Sequence, residues 1–202
     1  MPTEAGSGID RAHYDRVVNA SDDVYLRVAQ RFGEVLSHVS DDQWGDATPC
    51  DQWNVHDLVA HVIATHRRVY ALVSPEGLAD FDEDAPLANQ WSVVSTTMRD
   101  ALASSTLANT LVPARNGEQP FFQLVGGLVM FDTLCHTWDL AHAIGDDETL
   151  DAAAVANAHE RLGAVSDALR VPGGFAAPIE PAPDADAQTR FINFVGRSVE
   201  VR

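Results

Sequence analysis

Residues 120–145, PFFQLVGGLVMFDTLCHTWDLAHAIG, decide the fold. The run is too long for one strand, and its inward residues recur at helical steps: Val125, Leu128, Val129, Asp132, His136, Leu140 and Ala143. Gly145 stands where a helix stops. Gly126-Gly127 costs roughly 2 kcal/mol in helix propensity, so the pair needs a packing reason such as a close helix approach. Asp132 and His136 lie one turn apart within the apolar stripe. A charged carboxylate buried there without a partner costs several kcal/mol, so something must compensate it.

Working outward, residues 54–73 form a second helix. Asn54 caps it, Asp57 returns the bond as in a capping box, and Ser74-Pro75-Glu76-Gly77 ends it. Its inward stripe is Leu58, His61, Val62, Thr65, Val69 and Leu72. Residues 9–39 predict a long amphipathic helix, with Ser21 a point where it can break, and residues 41–52 a loop. Further helices are expected over 87–105, 151–170 and, after an Ala/Pro-rich stretch, 188–195. The acidic loop with Asp80, Asp82, Glu83 and Asp84 lacks the spacing of a calcium-binding loop and is expected to be a solvated face. No alternating strand pattern and no repeat stand out. The expectation is an all-α protein, an antiparallel four-helix bundle over residues 1–170, with a small C-terminal extension over 171–202 whose short helix packs on the bundle.

With 202 residues and 46% hydrophobic composition, the chain buries a core without disulfides or a structural metal. Its 13 basic residues are all arginine, against 30 acidic ones, for a net charge of -17. Such a surface repels phosphate backbones and anionic lipid, so nucleic acid and membranes are excluded as partners. The absence of lysine excludes Schiff-base and P-loop chemistry. Neither a signal-like start nor a membrane-length apolar run is found, which implies a cytoplasmic protein. Monomer and homodimer both remain open.

The chemistry points to His61, Asp132 and His136. If the two helices are neighbours, these residues converge as two imidazoles and one carboxylate, a divalent-metal ligand set with a coordination position left open. Taken singly, each is more often a satisfied core polar group. Asp139 is the candidate for orienting a ligand imidazole from behind. His56, His66 and His142 are rotated off these faces, and His66 beside Arg67-Arg68 is expected to be exposed. Trp53 and Trp138 are expected in core or pocket wall, and Cys50 and Cys135 as buried thiols rather than nucleophiles. Arg67, Arg68 and Arg115 are possible anion contacts with a surface role preferred.

The run TPCDQWNVHDLVAH at 48–61 resembles the "TPC-xx-W-x-V-x-D-L-x-x-H" signature of the mycothiol-dependent maleylpyruvate isomerase-like metal-binding family, within the DinB-like superfamily. DTLCHTWDLAHAIG at 132–145 resembles its "H-x-W-D-L-A-x-A-x-G" helix, and FINFVGR at 191–197 its closing "L-x-x-x-G-R". The resemblance implies a DinB-like four-helix bundle and a metal held by His61, Asp132 and His136, with Asp132 where the family's isomerase carries Glu. It further implies a divalent metal, zinc first with nickel or iron as alternatives, and mycothiol as a thiol cofactor. The function implied is a metal-dependent isomerase or transferase in which a thiolate attacks a small electrophilic substrate. A hydrolase using metal-bound water, or a non-catalytic metal- or ligand-binding bundle, are the alternatives.

Overall fold

A computed structural model describes residues 11–51, 53–74, 76, 81–114, 117–162, 170 and 176–199, with the side chains of 11–22 and 159–162 excepted. The elements in chain order are α1 (Arg11–Leu36), α2 (Val55–Tyr70), α3 (Leu87–Ala103), α4 (Ser105–Ala108), β1 (Leu111–Ala114), β2 (Gly117–Pro120), α5 (Phe121–Leu124), a π turn (Val125–Val129), α6 (Met130–Ile144), α7 (Ala152–Leu162) and α8 (Ala187–Phe194). Among the described residues the protein is mostly helical, with one small two-stranded sheet.

Helices α1, α3, α2 and α6 pack in a closed ring, each against the next, and α6 returns to α1. Inside the ring Phe32, Val35, Leu58, Val62, Val94, Met98 and Val129 are fully buried. Burial of these side chains is the main driving force, at about 25 cal/mol per Å² of apolar surface. The helix boundaries follow local chemistry. Asn54 accepts a bond from the Asp57 amide and Asp57 accepts one from the Asn54 amide, the expected capping box. Gly145, with φ 72°, ends α6 in the left-handed conformation that glycine adopts without a Cβ penalty.

Several expectations need correction. The first helix runs unbroken through Ser21; residues 9–10 lie outside the described chain. The second helix ends at Tyr70, leaving Leu72 beyond it and 43% exposed. The third ends at Ala103, because Ser104 turns the chain and caps the separate turn α4. The fifth is described over Ala152–Leu162, and residues 163–169 of its expected span lie outside the described residues, as does Asp80.

A hairpin, not expected from sequence, pairs β1 with β2 in antiparallel register from Leu111↔Pro120 to Ala114↔Gly117. Its four-residue strands each carry a proline, which masks alternation. Gly126-Gly127 falls within the π turn, which packs against both α1 and α2. A π turn holds an extra residue, so the simple helical count slips across it. Val125 and Val129 face inward as expected, but Leu128 is 52% exposed.

The C-terminal helix α8 is capped by Asp186 and buries Phe191 and Ile192, with the Phe191 ring 5.6 Å from that of Phe131 on α6. It packs on α7. The turn after it brings Arg197 back to Asp139 on α6.

Candidate metal centre

Two neighbouring helices and two loops build the site. From α2, His61 points toward α6, where its Nε2 lies 3.3 Å from Asp132 Oδ1. His136, one turn after Asp132, brings its own Nε2 to 3.6 Å from the same oxygen. A donor atom from each of the three lies within 4.8 Å of the others. The two imidazole rings stand edge to face, 5.0 Å apart. The sequence-derived trio is therefore brought together, at a partly accessible position: the side chains of His61 and Asp132 are 31% and 22% exposed.

Asp132 also supplies the test of whether the site suits a cation. Its Oδ2 is buried and has no hydrogen-bond partner. Burial alone raises the Asp132 carboxyl, yet the charges and hydrogen bonds of His136 and His61 outweigh it and hold the group below the usual carboxylate range. Burial likewise opposes charge on His136, but Asp132, Asp139 and Cys50 raise its pKa well above the ordinary value. A carboxylate with one buried oxygen unsatisfied, flanked by two imidazoles, is the donor set that a divalent ion completes. The residues fit the group.

A second layer lies behind His136. Asp139, completely buried, receives His136 Nδ1 at 3.1 Å and a bidentate contact from Arg197, Nε to Oδ1 at 3.0 Å and Nη2 to Oδ2 at 2.8 Å. Burial raises its pKa, but the His136 hydrogen bond and the Arg197 charge bring it down to about 2. The Cys50 thiol donates to Asp139 Oδ2 at 3.2 Å, lies 3.8 Å from His136 Nδ1, and accepts from Arg197 Nη2 at 3.2 Å.

The 48–54 loop positions Cys50 and Trp53. Thr48 Oγ1 accepts from the Cys50 amide and donates to the Trp53 carbonyl. The Trp53 ring then lies 4.6 Å from His61 and 5.8 Å from His136, walling the site as one of its two expected positions allowed.

Cys50, His136 and Asp139 form a second potential ligand group. The Arg197 guanidinium already occupies its anionic side, so a metal there would face a full positive charge at contact distance. The His61–Asp132–His136 face is the one with unspent coordination capacity.

Other candidates fall elsewhere. His66 is fully buried rather than exposed: its Nδ1 donates to the Val62 carbonyl, its ring stands edge-on to Trp91 at 4.9 Å, and burial pushes its pKa down to about 4. It falls on the same side of α2 as Val62 and Val69, where the sequence stripe had no place for it. Arg67 pairs with Glu83 at 2.6 Å and sits over the Phe81 ring, Arg68 reaches Thr65, and Arg115 lies outside the described residues. His142 stacks on the buried Trp138 and bonds Glu148, and His56 is exposed. Cys135 is buried, and burial pushes its thiol up to about 12. Cys50, by contrast, is half-buried and part of the site, which sequence reasoning missed along with Arg197. Neither has a neighbour in sequence that reveals its role, although the TPC run contains Cys50 and the closing G-R motif contains Arg197. A cavity of about 630 Å³ against α2 and the start of α3, lined by Trp44, Ala60, Arg67 and Gln90 among others, includes none of the donors.

Among the described residues no helix is long and apolar enough to cross a membrane. No solved structure matches the chain. Two uncharacterized proteins of Mycobacterium tuberculosis, from strains CDC 1551 / Oshkosh and ATCC 25618 / H37Rv, are each 30% identical to it over 87% of this chain and 96% of their own length. The description of the mycothiol maleylpyruvate isomerase N-terminal domain matches residues 25–141, a span that holds His61, Asp132, His136 and Asp139. With more than half of the chain inside that match, the protein belongs to the mycothiol maleylpyruvate isomerase N-terminal domain family.

Proposed function

We propose that this protein binds a divalent metal, zinc in the first instance, through His61, Asp132 and His136, and uses it with a small thiol of the mycothiol type to isomerise or add sulfur to a small electrophile. The single observation that carries the reading is the buried, unpartnered Oδ2 of Asp132 within a two-histidine donor set. Family membership supports the thiol. The ring of α1, α3, α2 and α6 supports a DinB-like four-helix bundle as its frame.

A divalent ion supplies Lewis acidity there, favouring the ionised form of a sulfur ligand at neutral pH. The protein's residues do the rest. His61 and His136 would ligate through their Nε2 atoms, His136 giving up the proton that its carboxylate neighbours favour when no ion is bound, and Asp132 would offset the cation's charge. Trp53 shields one side of the two rings with an apolar surface. Asp139 holds the His136 Nδ1 proton, leaving Nε2 free to ligate.

Metal analysis of the purified protein tests the ligands. Bound zinc is expected to fall at least tenfold in His61→Ala and His136→Ala, with helical circular dichroism retained; unchanged metal content overturns the reading. The thiol step is tested separately in cobalt-substituted protein, where mycothiol should introduce a sulfur-to-metal charge-transfer band. An unaltered spectrum at saturating thiol removes that step.

A further inference from the structure

We propose that Arg197, carried into the site by the C-terminal turn, is a positioning residue for His136 and acts through Asp139. This rests on the reading of His61, Asp132 and His136 as metal ligands. The two nitrogens of His136 face different surroundings. Nε2 looks toward Asp132 and His61, whereas Nδ1 lies 3.1 Å from Asp139 Oδ2. A histidine ligates through one nitrogen, and the partner of the other sets its tautomer and ring angle.

Asp139 can serve as that partner only if its carboxylate is held in one orientation while fully buried. Arg197 provides this, since its Nε and Nη2 each bond a different carboxylate oxygen, at 3.0 and 2.8 Å. Its remaining nitrogen donates to the Val195 carbonyl at 2.8 Å, so the guanidinium is anchored to its own turn. Only 9% of the side chain is exposed.

The turn itself is built for this delivery. The Arg197 amide donates to the Ile192 carbonyl and Asn193 Nδ2 donates to the Arg197 carbonyl, tying the chain end to α8. Gly196 has φ 84°, and a Cβ there would stand 2.7 Å from Ala176 Cβ and 2.9 Å from the Ala177 oxygen. Glycine alone fits. The last third of the chain thus reaches a histidine 61 positions earlier in sequence, through one buried carboxylate.

Zinc affinity of the full chain, measured by competition with a chromophoric chelator, tests the inference. Arg197→Gln and Asp139→Asn are each expected to bind zinc 10- to 100-fold more weakly. The double variant should be no weaker than Asp139→Asn alone within about twofold, because Arg197 acts through that carboxylate. Arg197→Lys should recover part of the loss, and the cobalt visible spectrum should shift in the weakened variants.

Zinc binding within twofold of the parent in folded Arg197→Gln, with an unchanged cobalt spectrum, overturns the proposal. So does a double variant weakened by the product of the single effects. If Arg197→Gln does not fold, Arg197→Lys against the double variant, in which both buried charges are removed, makes the same comparison. His61→Ala separates the two readings. If it binds zinc like the parent, the ligand assignment fails and the proposal with it; if it loses zinc while the Arg197 variants do not, the positioning role alone fails.

Discussion

Asp132 and Asp139 lie seven residues apart on one helix and both touch His136, yet they live in opposite circumstances. Asp139 is completely buried and satisfied by an arginine, a histidine and a thiol. Asp132 is partly exposed, and one of its oxygens has no partner. Residue type alone therefore does not set a carboxylate's task. The saturated one is structural and orienting, and the unsaturated one has capacity left for a ligand.

The contrast is broken most forcefully from the Asp139 side. Arg197→Ala leaves a buried carboxylate without its charged, bidentate partner, only His136 and Cys50 remaining, and is expected to lower unfolding free energy by about 3–5 kcal/mol. Asp132→Asn should cost the metal-free protein less, because only its Oδ1 is paired, with His61 and His136, and its Oδ2 has no partner to lose. Urea unfolding in chelator measures both; equal losses would mean that the two carboxylates are not distinct in kind.

A histidine that bonds neither carboxylate gives the pH reference. His66 stays neutral in the folded protein down to about pH 4, whereas in the unfolded chain it takes up its proton near 6.5. The unfolded state binds more protons between these values, so stability falls as pH drops through that window and loses about 3 kcal/mol. Above it the contribution is complete. In His66→Phe this part of the slope should vanish from thermal melts across pH 4–6.5, while Asp139, with its pKa at about 2, adds its own loss only as pH falls below about 4.

Zinc should sharpen the comparison further. At free metal about 100-fold above the dissociation constant, the folded state gains about 2.7 kcal/mol. That gain should disappear in Asp132→Asn, so a persisting zinc-induced rise in melting temperature would place the ion elsewhere. The smallest effect concerns the thiols. A bulky disulfide reagent should modify half-buried Cys50 in the native protein and leave Cys135 untouched, and bound zinc should slow the first reaction by restricting His136 and its neighbours. Equal rates at both cysteines would show that the site is less closed than its hydrogen bonds imply.

The parts legible in sequence were those governed by local chemistry. The capping box at Asn54, the stop at Gly145 and the one-turn spacing of Asp132 and His136 all follow from short-range rules, whereas His61 joins them only through the packing of α2 on α6. The hairpin was hidden by prolines in strands of four residues, and Leu128 was misplaced because a uniform helical period does not anticipate a π turn. His66 was judged by the arginines beside it, although its side chain points into the core near Tyr25 and Trp91. Cys50 was read only as a buried thiol and Arg197 only as part of a closing motif, because they meet across 147 residues and no periodicity spans that distance.

The π turn also has a bearing on how this chain tolerates change. A wide turn is equivalent to one surplus residue in an otherwise continuous helix. Deleting a single glycine from Gly126-Gly127 would let the backbone close into ordinary α-helix with its hydrogen bonds intact. The cost would be rotational: one residue of an α-helix is about 100° of rotation, so buried Phe121 and Phe122 would swing away from the core if Asp132 and His136 kept their places. The two glycines thus work as a phase adjuster, keeping the ligand face and the hydrophobic anchor of one long helix in step with different neighbours.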